Sequence, residues 1–388
     1  MKIISVAAAF IFFTSCAHKP EFKSEMLELK EAQISFNGRI LTQNEIEEDI
    51  DFTVWTLQRA YAGAIYLPGS QFAGLTAQLN QIKKSPSMSR KQLAQALQAA
   101  FETVDDAHLG VSAPRIDENE KMRKPSVGAN IFSGKSAPYF TETVKVNEKT
   151  VGLISITKFP SNVDPAWGDF SSDIKKIWQA SDSLILDLRG NGGGDDTRGF
   201  ELASVLYGQK SPSFRVIVTR LSPEALTIYR NTYFLKIENM KSLAPRVPEE
   251  WLRTYAKLAT AIQDAKAGKV PPEETRSKSN AILEKSKIPK KKIYVLQDAG
   301  CASSCESLLE TLESHPYVTT VGENTMGLIH FGDVSPFQLP NSSIRINAPI
   351  KFFKFPDNRF LEKKGYAPKI KLSPDQNAFD YVITLLKK

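Results

Sequence analysis

Two apolar runs limit what this chain can fold into. Leu184 to Leu188 in "SLILDLRGNGGGDD" ends in a glycine loop, and Ile293 to Leu296 in "KKKIYVLQDAG" ends in the turn residues Asp298 and Gly300. Runs of this length bounded by turn chemistry read as buried strands. The second is followed by Ser307, Leu308, Leu309 and Leu312, a spacing that suits the inner face of a helix. Strands alternating with helices predict an α/β core.

The rest of the chain is organised around that core. From Asn44 to Val104, apolar residues recur at three- and four-residue spacing in "NEIEEDIDFTVWTLQRAYAG" and "SRKQLAQALQAAFETV". This predicts an N-terminal helical subdomain, with Ser89 as an N-cap. The segments "GVSAPRI", "APYFTETVKV" and "TVGLISITKF" read as strands, and Phe170 to Trp178 as an amphipathic helix. Residues 222–290 break the rhythm with charged helical stretches and read as a helical insertion, after which the core resumes at Lys291. The expected division is a leader at 1–15, a polar tether at 16–40, the helical subdomain at 41–115 and the core at 116–388.

The leader resembles that of a bacterial lipoprotein. Lys2 precedes an apolar stretch from Ile3 to Phe13, and small residues precede Cys16. The stretch is too short to span a bilayer, and the resemblance implies cleavage before Cys16 and lipidation of its thiol. Ala17, which is not an aspartate, then implies an outer-membrane anchor facing the periplasm. The net charge of +7 over 388 residues is modest, and the densest basic run, "KSKIPKKK" at 285–292, has no aromatic interleaving. A solvated loop fits it, and a nucleic-acid partner is not expected.

Chemistry concentrates in "GCASSCESL", residues 300–308, where a strand turns into a helix. The first helical turn leaves backbone N–H groups unpaired, so a serine there can meet a carbonyl while neighbouring amides bind the developing oxyanion. An ordinary helix start also favours serine. The loop Gly190 to Gly194 lacks the Lys-Ser/Thr ending of a phosphate cradle, but its unobstructed backbone could complete an oxyanion hole with the Ser304 amide. Cys301 and Cys305 flank the serines, either as a disulfide across the turn or as two buried thiols. Of four histidines, His18 belongs to the tether and His315 to a helix end, leaving His108 and His330 as candidate bases. No H-E-x-x-H or Cys/His cluster is present, so neither a metal nor an organic cofactor is expected.

The ordered series "DDAH", "LILDLRGNGGG", "GCASSCESLLETL", "VGENTMG" and "LEKKGYAPKIKL", spread over most of residues 45–388, resembles the S41 peptidases. That family includes the tail-specific processing peptidases, the tricorn core and retinoid-binding repeats. The resemblance implies a crotonase/ClpP-like core with Ser303 as nucleophile, the Ser304 amide with Gly192 and Gly193 as oxyanion donors, and Glu306 and Thr325 in support. The Ser-Lys branch carries a lysine after the glycine corresponding to Gly327, where this chain has Leu328, which cannot take a proton. The D-x-H pattern of the tricorn-like and nisin-resistance-like branches matches Asp106, Ala107 and His108. The resemblance therefore implies His108 as base, with His330 in reserve and Glu362 as the carboxylate that orients it. Asp105 and Asp106 read as braces of the His108 segment. About thirty residues separate Val111 from "TVGLISI", too few for a PDZ domain of usual size. The expected function is a lipid-anchored serine endopeptidase acting on peptides or unfolded protein. The alternative is an S41-like protein that keeps the cleft to bind a peptide or small hydrophobic ligand and has lost proteolysis. Nothing in the sequence specifies an oligomer.

Overall fold

The computed structural model describes residues 21–32, 39–112, 127, 130, 137–212, 215–243, 246–277 and 283–388, so the leader, Cys16 and His18 lie outside the described residues. The N-terminal part contains β1 (Ile40–Thr42), α1 (Gln43–Ala60), α2 (Gly63–Tyr66), α3 (Gln71–Ile82), β2 (Ser87–Ser89), α4 (Arg90–Phe101) and β3 (Gly110–Ser112). The middle of the chain supplies β4 (Tyr139–Val146), β5 (Lys149–Ile156), α5 (Phe170–Ala180), β6 (Ser183–Asp187), α6 (Thr197–Tyr207), β7 (Val216–Arg220), α7 (Pro223–Leu243), α8 (Glu249–Lys266) and β8 (Glu273–Ser277). It ends with β9 (Lys292–Gln297), α9 (Ser304–Leu312), β10 (Val318–Gly322), β11 (Phe331–Gln338), β12 (Arg345–Lys354), β13 (Ile370–Lys371) and α10 (Ala378–Lys387). None of the helices among the described residues is long and apolar enough to cross a membrane.

The two apolar runs become β6 and β9, adjacent and parallel in a six-stranded sheet of order β13-β10-β9-β6-β5-β4, with Leu184 opposite Ile293. Only the β4–β5 pair in it is antiparallel. Both faces are covered, which is why the runs are nearly continuous rather than alternating. Leu184, Leu186, Ile293 and Val295 pack with Phe170, Leu202 and Leu308 from α5, α6 and α9. Ile185, Tyr294 and Leu296 pack with Val382 of α10 on the opposite side. Because β6, β9 and β10 are parallel, the loops that follow them emerge at one edge, where open α/β sheets place their ligands.

A second, antiparallel sheet runs β11-β12-β7-β8, with β3 paired to β12. The helices at 43–101 do not stand apart as a subdomain: Phe52, Leu57 and Phe101 share one apolar core with Phe331, Phe337 and Ile346 of this sheet. Ser89 caps α4 as expected, its hydroxyl accepting from Gln92 N. The 222–290 segment is likewise more than an appended pair of helices. Its strand β8 extends the second sheet against β7, while α7 and α8 join through Leu226, Leu258 and Ile262.

Part of the expected tether is docked. Residues 24–27 form a 3-10 turn in which Leu27 is buried, and Phe22 meets Phe52 edge-on at 5.2 Å between ring centres. Asn231 of α7 donates to Leu27 O at 2.8 Å and accepts from Leu29 N at 3.1 Å. A polar sequence pattern hid this contact because only three apolar side chains carry it. Removing residues 1–32 should therefore cost about 3 kcal/mol or more, since burying each leucine is worth about 1.5–3 kcal/mol, whereas removing residues 1–20 should leave the midpoint unchanged. Urea denaturation of the two truncated chains checks this, and equal midpoints would contradict it.

Candidate active site

The turn between β9 and α9 is tied to the glycine loop after β6. Asp298 Oδ1 accepts from Gly190 N at 2.8 Å and Gly300 N at 2.9 Å, Ala302 N donates to Asn191 O at 3.0 Å, and Ser304 Oγ donates to Gly194 O at 2.7 Å. Ser303 sits at the N-cap of α9 with φ 55° and ψ −116°. A side chain in that region costs on the order of 1–3 kcal/mol and persists only where neighbours hold it. The disulfide Cys301–Cys305, with Cα atoms 5.5 Å apart, closes across the turn that carries Ser303. Of the two readings open in the sequence, the structure shows the bonded pair.

Glu306 is the main restraint on Ser303. Its buried carboxylate accepts from Ser303 N at 3.1 Å, Leu328 N at 2.7 Å, Gly327 N at 2.8 Å and Thr325 Oγ1 at 2.5 Å. Thr325 in turn accepts from Tyr366 N at 2.7 Å. These contacts place Glu306 and Thr325 beneath the turn that carries Ser303. Burial raises the Glu306 pKa against the pull of its donors.

The glycines of the loop differ in what their backbone does. Gly193 N donates to Asn191 Oδ1 at 2.9 Å, so its N–H is already committed. Gly193 instead serves close packing: at φ 93°, a Cβ there would lie 2.8 Å from Ser303 Cβ and 2.9 Å from Ser304 N. Gly192 is exposed and does not line the cavity at Ser303, whereas Gly194 does. The sequence pattern offers four glycines in five positions, and only the hydrogen bond of Asn191 separates their roles.

Ser303 lines two adjoining cavities of about 530 and 260 Å³, and His108 lines the smaller one with it. No hydrogen bond joins the two side chains in this arrangement. His108 lies just before β3, which brings it to the cavity by pairing with β12. Its Nδ1 is buried, unpartnered and 4.0 Å from Asp106 Oδ1. Burial lowers its pKa to about 4, so the imidazole is neutral and able to accept a proton near pH 7. Asp106 braces the segment as expected, accepting from His108 N at 2.8 Å and from Tyr61 Oη at 2.7 Å. Tyr61 carries no sequence signal that distinguishes it from a core aromatic.

Glu362 reaches the same place from the C-terminal loop. Its carboxylate accepts from Ile329 N at 3.1 Å, His330 N at 3.0 Å and Ala107 N at 3.4 Å. One ligand atom each from Asp106, His108 and Glu362 lies within 4.8 Å of the others, the single group among the described residues spaced to hold a cation. Those Glu362 oxygens already serve three backbone donors. Burial raises the pKa of Asp106 against the pull of its donors, and burial with the neighbouring Asp106 carboxylate raises that of Glu362.

His330 is not available as the reserve base. Its Nδ1 is 2.8 Å from Phe353 O, its Nε2 accepts from Leu361 N at 2.9 Å, and Phe360 stacks on the ring at 4.5 Å. With both nitrogens committed and the ring outside the cavity lining, it clamps β12 to the 361–365 loop. His315 ends its helix as expected, with Nε2 3.3 Å from Leu206 O.

Two outcomes follow. Gly193→Ala should lower kcat by about 100-fold or more by pushing the loop off the nucleophile turn; a peptide-hydrolysis assay showing less than a tenfold loss would contradict the packing argument. Glu362 holds its proton to higher pH folded than unfolded, so the native state binds the extra proton above pH 4.5 and stability falls as pH rises. Glu362→Gln, which mimics the protonated acid, should flatten that slope. Its stability relative to the unsubstituted chain should be greater at pH 8 than at pH 5, as thermal melts would show.

The model of peptidase family S41 matches residues 150–372, more than half of the chain. Among solved structures, a peptidase from Parabacteroides merdae superposes with a TM-score of 0.53 at 13% identity, over 88% of this chain and 97% of that one. Mature CPAF superposes with a TM-score of 0.55 at 13% identity, over 89% and 97%. At this identity the likeness concerns the fold, and no curated sequence matches the chain. The mixed α/β architecture is that of an S41 core, with serine-type peptide hydrolysis the activity its family implies, and the chain belongs to peptidase family S41.

Proposed function

We propose that the chain is an exported, lipid-anchored serine endopeptidase with a Ser-His mechanism. The observation that carries this reading is the shared cavity: Ser303, held at positive φ at a helix start, opens on the same space as a neutral, half-buried His108. Ser303 Oγ attacks the peptide carbonyl carbon as His108 takes its proton. The carbonyl oxygen becomes negative against the Ser304 and Gly194 amides. Collapse of the tetrahedral intermediate breaks the C–N bond, His108 returns the proton to the leaving amine, and water then hydrolyses the acyl-serine by the same route. In this reading Asp106 and Glu362, each with an oxygen within 4.8 Å of a His108 ring nitrogen, stabilise the imidazolium formed in each half.

The lipoprotein-like leader supports export, and so does the buried disulfide, since such bonds persist in oxidising compartments. An anchor at Cys16, facing the periplasm from the outer membrane, is the corresponding location. The cleft-keeping binding protein is the rival, and the retained Ser303 and His108 argue against it.

Hydrolysis of unfolded casein and of a peptide library by the chain lacking residues 1–16 tests the mechanism. Ser303→Ala and His108→Ala should each reduce turnover by about 1000-fold or more while melting as cooperatively as the unsubstituted chain. Turnover that survives Ser303→Ala would exclude this nucleophile.

A further inference from the structure

The larger cavity continues past Ser303 along α9. Ser307, one turn on, donates its N–H to Ser303 O at 2.9 Å, and both residues line the cavity. Arg215, just before β7, reaches that depth. Its Nη2 donates to Ser307 Oγ at 3.0 Å, its Nε lies 2.6 Å from Glu310 Oε2, and its guanidinium covers the Phe353 ring at 4.6 Å from the centroid. The side chain is only 4% exposed. Its remaining nitrogen, Nη1, makes no hydrogen bond to a described residue and is not sealed off by protein.

The charges around this space are divided. Lys236 of α7 lines both cavities and has no carboxylate partner among the described residues. Asp333 also lines both cavities and pairs with Lys351 at 2.6 Å. Asp195 and Asp196 line the cavity beside Gly194, at the glycine-loop end, and Asp195 accepts from Thr197 N at 2.9 Å. The Lys236 ammonium lies over the Tyr233 and Trp251 rings and makes no ion pair to a described residue, so the donors without an oxygen acceptor lie at the Arg215 and Lys236 end. Apolar walls from Leu328, Ile329 and Phe331 suit a methylene stem. A wholly apolar side chain there would leave Nη1 desolvated without an acceptor, the situation that most strongly rejects a wrong ligand.

We propose that this space is a specificity pocket for a carboxylate-bearing residue of the substrate, with Arg215 as its specificity determinant and Lys236 at its rim. The inference rests on the peptidase reading and names the substrate class for that site. The carboxylate comes either from an internal Asp or Glu side chain or from the C-terminus of the substrate.

Matched peptides that differ only in Glu, Gln or Leu at one position, each with a free or an amidated C-terminus, test it. The unsubstituted chain should favour Glu over both Gln and Leu in kcat/KM by about tenfold or more. A Glu preference that survives amidation identifies the side chain, whereas a preference of about tenfold for free over amidated ends in every peptide, whatever its residue, identifies the C-terminal carboxylate. Arg215→Leu alone would remove the ion pair of the buried Glu310 carboxylate, so the informative variant is Arg215→Leu with Glu310→Leu, which removes both charges. The Glu:Leu and free:amidated ratios should fall to about one in that variant, and Lys236→Ala should reduce them severalfold without changing the melt. Equal or better use of amidated Leu peptides by the unsubstituted chain, or an unchanged ratio in the double variant, would overturn the pocket. Binding of the same peptides to the Ser303→Ala chain, read by fluorescence anisotropy, separates the two readings. Absence of any cleavage together with Arg215-dependent binding of carboxylate peptides would sink the peptidase and keep the pocket. Equal binding of all peptides would sink the pocket whatever the cleavage result.

Discussion

The site depends on one carboxylate, Glu306. A serine with positive φ at a helix start is held only if something opposes the relaxation of its backbone, and Glu306 does so by accepting the Ser303 N–H. The same carboxylate accepts from Thr325, Gly327 and Leu328, which fastens the loop after β10 to the turn after β9. Hydrogen bonds to an ionised group are roughly twice as strong as neutral ones. One buried side chain thus sets both the angle of Ser303 and the wall beside it.

The two sheets divide the labour. Parallel β6 and β9 deliver the glycine loop and the Ser303 turn to one edge, where Asp298 and Asn191 join them. The antiparallel sheet delivers His108 through β3, and the loop after β12 delivers Glu362. Tyr229, Tyr233 and Lys236 of α7 then close the space from outside, so the 222–290 segment is a wall of the cleft. Its substrate-facing helix is also the one that grips residues 27–29 through Asn231, linking the docked N-terminal segment to the cleft.

Around His108 the chemistry is set by dehydration. Burial lowers the imidazole pKa and raises those of Asp106 and Glu362, so the site favours fewer charges at rest. In the proposed mechanism, a proton moved onto His108 during attack creates a cation beside two carboxyl groups, which is where the stabilisation is needed. His330, by contrast, uses both nitrogens to hold backbone, and its low pKa is a consequence of structural burial.

Much of this was legible in the chain. The apolar runs specified the two central strands because a strand covered on both faces cannot alternate, and "GCASSCESL" specified a serine at a helix start because turn residues and helical spacing meet there. The absence of a lysine at Leu328 pointed away from one branch of the family and towards His108. Other choices waited for the fold. Which glycine faces the cavity depended on the Asn191 side chain, and the exclusion of His330 depended on two backbone groups from distant segments. The docking of residues 21–32 and the placing of Arg215 below Ser303 came from contacts across more than two hundred and more than ninety positions of sequence, respectively. Local pattern determines which strand or helix forms and where it ends, because those interactions span a few residues. Which polar atoms find partners is decided only when separate elements pack, and at this site that decides which residues remain free to react.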